Sequence, residues 1–559
     1  MGQNIAQENV IDNLNSYLQW HNLPLKLNEG GVCSGLAMVH AKYALENREQ
    51  EFLTMLEYVA GKKPDSEIEI SLNHFAVEII RSYAPQLFDK RYNQANAMEV
   101  LDINGKSLKS AFNFTINASD SDWQQILQSI NLNHDEVMIV RSVDHTVSVS
   151  RKDGKYIIYD PNYSSGVKGF DSTEKLIKEL HHQVFDYHPG LLGMAVAVIR
   201  HPDASANRTF PQVSLLYDKY LTPETINKAA VCANGGKLFN ILAYATWGQN
   251  QADITQLLGK GASAQSNQDD VINNPATNAI FSNNAGALRA LLPVIENDNV
   301  IQEMFDSALI LGRKEVFDEL LQHPVCKSLL KEWTKIPSLL NSAAFGGEPA
   351  MLEIILDFYN QGFAHADATQ QDFYTVMQCA ARGGSVKCMQ LLEKNWCDRV
   401  GGSINIDWRL DCLFAAIEKN HFGMVCYLLE RIPADCLQAI NTMRIATIQK
   451  TDLSILRELK AAGVPFSETA QAVMAIKEHH PIGIKLTIGI MLHQFTDFCK
   501  EVLFKSSKRS MMTYDVDRLN EIIATATIKK TQYFKEKMHK MKPADEKLST
   551  GNEIQVLGV

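Results

Sequence analysis

One cysteine stands apart from the other nine. Cys33 is the only cysteine in the first 230 residues, and it opens the helical pattern of LNEGGVCSGLAMVHAKYAL (27–45) behind the turn formers Asn28, Glu29, Gly30 and Gly31. At a helix start the backbone N–H groups lack intrahelical partners and the dipole favours negative charge. A thiol there is favoured as thiolate, and the free N–H groups can receive an oxyanion. Taken alone, the same pattern describes a buried structural cysteine.

The residues that would make such a thiol work lie in DEVMIVRSVDHTVSVSRKDGKYIIYDPNYSSG (135–166). Asp153-Gly154 is a hairpin turn between two β-rich runs. Alternation puts Val143, His145, Val147 and Val149 on one strand face, so His145 points to the core, and Asp144, Thr146, Ser148 and Ser150 on the other. A two-residue turn at 153–154 sets paired residue numbers summing to 307, which places Asp160 opposite Val147 and Asn162 opposite His145. Asp160 is then one diagonal step from the imidazole, and either Asp160 or Asn162 can orient the ring. A nucleophile, a base and an orienting group are the parts of a thiol or serine hydrolase site.

GVCSGLA, DHTVSV and YDPN, taken together, resemble the YopT/AvrPphB group of effector cysteine proteases, which have a papain-like fold. The order Cys, His, Asp and the gaps of 112 and 15 residues are of that group's kind. The resemblance covers about residues 20–200. It implies Cys33 as nucleophile, His145 as general base, Asp160 as orienting acid, and Asn28 as the side-chain donor of the oxyanion hole. No autoprocessing segment is evident before Cys33. Gly2 invites N-myristoylation, but Ala6 stands where that motif needs Ser or Thr.

The elements that carry these residues occupy 1–202, where helical and strand patterns mix. The stretch 203–235 reads as a linker or covering segment. From 236 to 468 a helical repeat takes over: a small-residue helix, a Gly or Asn turn, and a second helix ending in paired leucines. The second leucines or their equivalents fall at 258, 292, 321, 356, 392 and 429, at intervals of 34, 29, 35, 36 and 37. MQCAARGGSVKCMQLLEK and LFAAIEKNHFGMVCYLLE resemble the second halves of ankyrin repeats, although no unit keeps the TPLH opening, and between four and seven repeats are expected. A different α-solenoid of helical pairs is the alternative. Residues 469–559 read as a helical C-terminal region with a polar tail.

The expected architecture is an α+β papain-like protease domain followed by an all-α ankyrin solenoid and a helical C-terminal region. Such an array stacks into an extended surface that binds proteins. The connectors 395–407 and 362–372 are candidate contacts, with Trp396 and Arg399 in the first as binding residues; Trp396 could equally cover the solenoid core. Protease plus ankyrin repeats resembles the effectors that Legionella injects into host cells. This implies delivery by a type IV system to host cytoplasm or nucleus, and a host protein as partner. Two alternatives stay open: a non-catalytic binding effector with a vestigial protease fold, and an acyltransferase or deamidase on the same three residues.

Composition narrows the field. The chain has 559 residues, 45% hydrophobic and 21% charged, with a formal net charge of −10. An acidic chain argues against nucleic acid as partner. The basic helix end at Lys529–Lys542 reads as a solvated face. No apolar run is long enough to span a membrane, and the N-terminus has no Sec-type signal. The ten cysteines form no CxxC pair, and His181, His182 and His188 have no carboxylate or cysteine spacing that completes a metal site, so no metal and no cofactor are expected. His40 lies seven residues after Cys33, about 10 Å along the helix axis, too far to serve as base.

Overall fold

A computed structural model describes residues between 4 and 474, apart from several segments of which 12–31, 441–450 and 265–273 are the longest. The candidate Asn28, the pair Val143 and Asp144, the basic stretch 529–542 and nearly all of the expected C-terminal region lie outside the described residues, as does 364–369 of the second connector.

The N-terminal domain is built on a six-stranded antiparallel sheet. Its strands are β3 (Ser110–Ala118), β4 (Glu136–Arg141), β5 (Thr146–Lys152), β6 (Lys155–Tyr159), β7 (Val167–Phe170) and β8 (Leu192–Arg200), in the order β3-β8-β4-β5-β6-β7. A small ribbon, β1 (Asp102–Ile103) with β2 (Lys106–Ser107), precedes it. The β5–β6 hairpin has the expected register: Ser148 pairs with Tyr159 and Lys152 with Lys155. Asp153 and Gly154 supply the positive φ angles, 50° and 77°, that its turn requires.

Both sheet faces are covered, which is why β4 reads EVMIVR rather than alternating with polar residues. Val137 and Ile139 face one core with helices α1 (Cys33–Leu45), α2 (Glu49–Gly61) and α3 (Glu69–Tyr83). Met138, Val140, Val147 and Val149 face the other, with α4 (Asp120–Ile130) and α5 (Thr173–Glu179). Helix α1 is buried from Ser34 to Leu45. Its small residues allow the close fit: a Cβ on Gly35 would lie 2.5 Å from the Ile79 carbonyl oxygen. Only its first residue, Cys33, is partly exposed.

The second core does not stop at the domain edge. It runs without a break into the helical region. The stretch 203–235 covers this junction rather than tethering two free bodies: it contains the helix Val213–Tyr220, and Tyr217 is fully buried. Asn117 on β3 donates to the carbonyls of Phe239 (2.8 Å) and Lys228 (3.2 Å), and the hydroxyls of Tyr187 and Tyr244 lie 2.5 Å apart.

From Ile241 the chain forms helical pairs: 241–248 with 251–259, 275–281 with 285–291, 298–311 with 314–322, 336–346 with 349–363, 370–383 with 386–400, and 406–418 with 422–429. The small-residue helix ends in a left-handed residue in five pairs in a row: Asn283, Gly312, Gly347, Gly384 and Asn420. These are the Gly or Asn turns that the repeat pattern requires. The residue before the turn also allows close stacking in two of them. A Cβ on Gly346 would lie 1.9 Å from the Leu309 carbonyl oxygen, and one on Gly383 would lie 2.1 Å from that of Phe345. Of each paired leucine motif one member is fully buried: Leu257, Leu291, Leu320, Ile355, Leu392 and Leu428.

The reading of 395–407 as a connector needs correction. The helix 386–400 runs on past its paired leucines, so Trp396 and Arg399 are helical. Trp396 is buried, with its ring 5.0 Å from Phe373 and 5.2 Å from Trp408. Arg399 donates to the carbonyl of Asn360 at 3.3 Å, which ties its helix to the preceding pair. An aromatic residue just after a leucine pair is here part of the core.

Candidate active site

Cys33 is the first residue of α1, and no side chain caps the helix before it. His145 sits directly before β5, at the mouth of the β4–β5 connection, where Ser142 N–H donates to its carbonyl at 2.9 Å and its own N–H donates to Ser142 Oγ at 3.3 Å. Asp160 follows β6 and opens a tight turn: its N–H donates to Gly166 O, and its carbonyl receives the N–H of Tyr163, both at 3.0 Å. The hairpin register therefore carries the acid to the histidine across neighbouring strands, while α1, lying on β5 and β4, brings the thiol from outside the sheet.

The His145 ring bonds Asp160 through Nε2, at 2.8 Å from Oδ1. The Cys33 thiol is the ring's other side-chain partner. Asn162 also approaches Nε2, but with its amide nitrogen, at 3.4 Å. The acid is thus the acceptor that orients the ring, and Asn162 presents a donor. The same Asp160 oxygen receives the Asn162 N–H at 2.8 Å, which fixes the carboxylate in place. The Phe185 ring stands edge-on to the imidazole with centroids 6.2 Å apart.

Burial alone would push His145 below its ordinary value, because a charged imidazole loses its water. Hydrogen bonds to Asp160 and Cys33, and their negative charges, outweigh this and hold its pKa up at about 10. The ring is therefore an imidazolium at neutral pH, flanked by an acid and a thiol. Arg141, at the end of β4, adds a second cation. Its guanidinium is brought down to about 10 by burial, and the Cys33 charge acts in the opposite sense.

His40 is not part of this arrangement. It is fully buried, with Nδ1 2.8 Å from Ser148 Oγ and its ring stacked on Tyr159 at 4.5 Å. Burial lowers its pKa to about 3, so it is a neutral core residue. His181 and His182 gain a carboxylate from outside their own sequence neighbourhood, because α4 brings Asp120 beside them. Both nitrogens of His181 are engaged: Nδ1 lies 2.5 Å from Asp120 Oδ1, and Nε2 lies 3.1 Å from the His188 carbonyl. The two imidazoles stack nearly parallel, 4.3 Å apart, and a nitrogen of each lies within 4.8 Å of the other and of an Asp120 carboxylate oxygen.

Sequence reasoning missed Gln7. This residue stands in a short helical turn near the N-terminus, where its N–H donates to the Pro161 carbonyl at 2.6 Å. Its side chain spans from Asn162 to the residue before Cys33. Its contacts lie 25 and 155 residues away, so no local pattern announces it.

Residues 6–188 match a family model, Peptidase_C58, described as Yersinia/Haemophilus virulence surface antigen. The N-terminal domain is cysteine protease-like. The matched span contains Cys33, His145, Asp160 and Gln7 and ends at His188, just before β8. No curated protein and no solved structure matches the chain. The helical region after residue 188 lies beyond the matched span.

Proposed function

We propose that the protein is a thiol endopeptidase whose helical array binds the protein it acts on or beside. The observation that carries this reading is the buried His145–Asp160 pair with Cys33 as the ring's other partner, on an uncapped helix start. In the first step the Cys33 thiolate attacks a peptide carbonyl carbon, and the developing oxyanion is received by the Cys33 N–H, with Asn28 as the proposed side-chain donor. The C–N bond breaks as the His145 imidazolium gives its proton to the leaving amine, which leaves a thioester on Cys33. Neutral His145 then takes a proton from water, the hydroxide adds to the thioester, and the acid product leaves as the thiolate and imidazolium re-form. Asp160 stays ionised throughout and holds the ring. No cofactor enters these steps.

The repeat period, the Gly or Asn turns and the paired leucines support an ankyrin identity for the array, with the pairing of protease and repeats most like the Legionella effector AnkH. On that reading the chain is a bacterial effector, delivered by a type IV system and acting on a host protein in cytoplasm or nucleus. The partner surface we assign is not Trp396, which is buried. Phe281, Ile310 and Phe345 occupy the same place in three successive pairs, two residues before the left-handed turn, and all three are exposed. A row of large apolar side chains repeated on the surface is the kind of patch that marks a protein contact.

The test is labelling of the intact chain with an electrophilic thiol probe, beside Cys33→Ala and His145→Ala. Labelling confined to Cys33 and slowed by His145→Ala is expected. Equal labelling of the exposed Cys397 and of Cys33 would sink the catalytic reading and leave a binding protein.

A further inference from the structure

The residues around His145 include two side-chain amides, and the direction in which each one points is set from outside the site. The chain of contacts starts at a backbone group that can only donate. Val32 N–H, immediately before Cys33, donates to Gln7 Oε1 at 3.0 Å. That bond leaves the other end of the amide, Nε2, as a donor, and it meets Asn162 Oδ1 at 2.6 Å. With its oxygen so occupied, Asn162 turns its own nitrogen toward His145 Nε2, at 3.4 Å. If the Asn162 amide were reversed, its oxygen would face Nε2 and compete with Asp160 for the ring proton. As it stands, Asp160 is the acceptor at that nitrogen.

We infer that Gln7 is a positioning residue of the thiol site: its amide carries the polarity of the Val32 N–H to Asn162, and so fixes which end of that amide meets His145. The same side chain joins the helix start that bears the thiol to the turn that bears the acid. The segment around it is anchored to that turn by two more bonds, Gln7 N–H to Pro161 O at 2.6 Å and Ile5 N–H to Ser164 O at 3.0 Å. The N-terminal residues are therefore a working part of the site rather than a lead-in to it. This inference rests on the proposed reading of Cys33 and His145.

The experiment measures the rate of Cys33 alkylation by iodoacetamide across pH in the full chain, for the parent, Gln7→Ala, Gln7→Glu, Asn162→Ala, the double variant Gln7→Ala/Asn162→Ala, and His145→Ala. Gln7→Ala frees the Asn162 amide to reverse. The acid limb of the profile should then move to higher pH, with labelling at mildly acid pH slowed roughly fivefold, the scale of one hydrogen bond. Gln7→Glu keeps an acceptor for Val32 but has no donor for Asn162, so it should behave like Gln7→Ala. The double variant should be no slower than the slower single variant, because the two residues act in one chain of contacts. Gln7→Glu, which keeps the acceptor of Val32 N–H, should melt close to the parent, since the Gln7–Asn162 bond is at the surface; Gln7→Ala, which leaves that part-buried N–H without its acceptor, should melt lower. If His145→Ala leaves labelling unchanged, the proposed function itself fails. If His145→Ala slows labelling but the two Gln7 variants keep the parent's profile, or lose rate equally at every pH, or add to Asn162→Ala, then the inference about Gln7 is wrong.

Discussion

In the helical array, buried and half-buried polar side chains reach one repeat away and bond backbone. Asn278 donates to Ala243 O, Ser282 to Thr246 O, and Asn284 to the carbonyls of Thr246 and Gln249. Asn420 receives the N–H of Asp452. The partners are 32 to 38 residues apart, one period of the fold. In the protease-like domain three buried polar pairs meet side chain to side chain, and no two separations agree: His145 with Asp160, His40 with Ser148, Lys42 with Glu78. Polar groups that recur with the period stitch a repeat together. Polar groups that occur once, facing one another, are where charge can be placed and moved.

The sharpest way to break this contrast is at Asp160. Asp160→Asn removes the charge that holds the imidazolium, and peptidase turnover should fall by roughly 10²–10⁴-fold, as when the orienting acid of a triad is neutralised. The stability consequence has a definite sign. His145 is raised from 6.5 to about 10, so its contribution is complete below about 6.5 and is lost as pH climbs through about 10. Denaturant unfolding at a series of alkaline pH values should show that loss in the parent and a smaller one in Asp160→Asn. Matching pH dependence in both chains would mean that the pair does not set the histidine's charge.

The counterpart in the array is Gly346→Ala. The new Cβ meets the Leu309 carbonyl oxygen at 1.9 Å, a backbone atom that cannot swing aside. The stacked pairs must separate there, and a loss above about 4 kcal/mol is expected by chemical denaturation. Because Gly346 serves the repeat alone, the pH profile of Cys33 alkylation in the folded protein should keep its shape. A shifted profile would show that the array tunes the thiol.

What could be read from the sequence follows the same division. The β5–β6 register was legible because Asp153-Gly154 admits one tight turn, and one register puts Asp160 beside His145. The helix start at Cys33 was legible from the turn formers before it and the helical period after it. The choice between Asp160 and Asn162 was not, since both stand on the right face; it depends on which end of an amide faces the ring. Gln7 was out of reach because its partners are distant in the chain. The two readings of Trp396, contact or core, could not be separated because an ankyrin-length helix would have ended before it, whereas this one continues to Val400 and turns the indole onto Phe373 and Trp408. The shared core at the junction was also hidden. A polar, proline-bearing stretch around 203–223 looks like a tether, and only the packing of Tyr217 and Tyr244 shows otherwise.

That junction gives a smaller test. Asn117→Ala leaves the Phe239 and Lys228 carbonyls without their donor, which should cost about 1–3 kcal/mol. If the domain and the array share one core, unfolding followed by near-ultraviolet circular dichroism and by exposure of array cysteines such as Cys388 should shift together. Two separated transitions in the parent would show that the regions fold independently.

The smallest effect on stability, and the one that most directly asks what the array is for, is expected from its exposed row. Phe281 and Phe345 are 41% and 40% exposed, so truncating them removes little buried area. The double variant Phe281→Ala/Phe345→Ala should change stability by less than about 0.5 kcal/mol for each site, the usual range for surface positions. Its alkylation rate at Cys33 should match the parent's, because neither side chain is in the set around His145. Binding should respond in the opposite way. A partner that lies along the first helices of the pairs would lose two large apolar contacts at once, and such anchors carry a disproportionate share of interface energy. The comparison needs one captured host protein and two variants: Cys33→Ala, which should retain it, and the double phenylalanine variant, which should release it. If the phenylalanine variant binds as well as the parent while Trp396→Ala binds poorly and melts lower, the loss comes from the core and the exposed row is not the contact. If both phenylalanine substitutions destabilise the array as much as Gly346→Ala does, the row is packed rather than presented, and the distinction between stitching residues and surface residues on these helices fails.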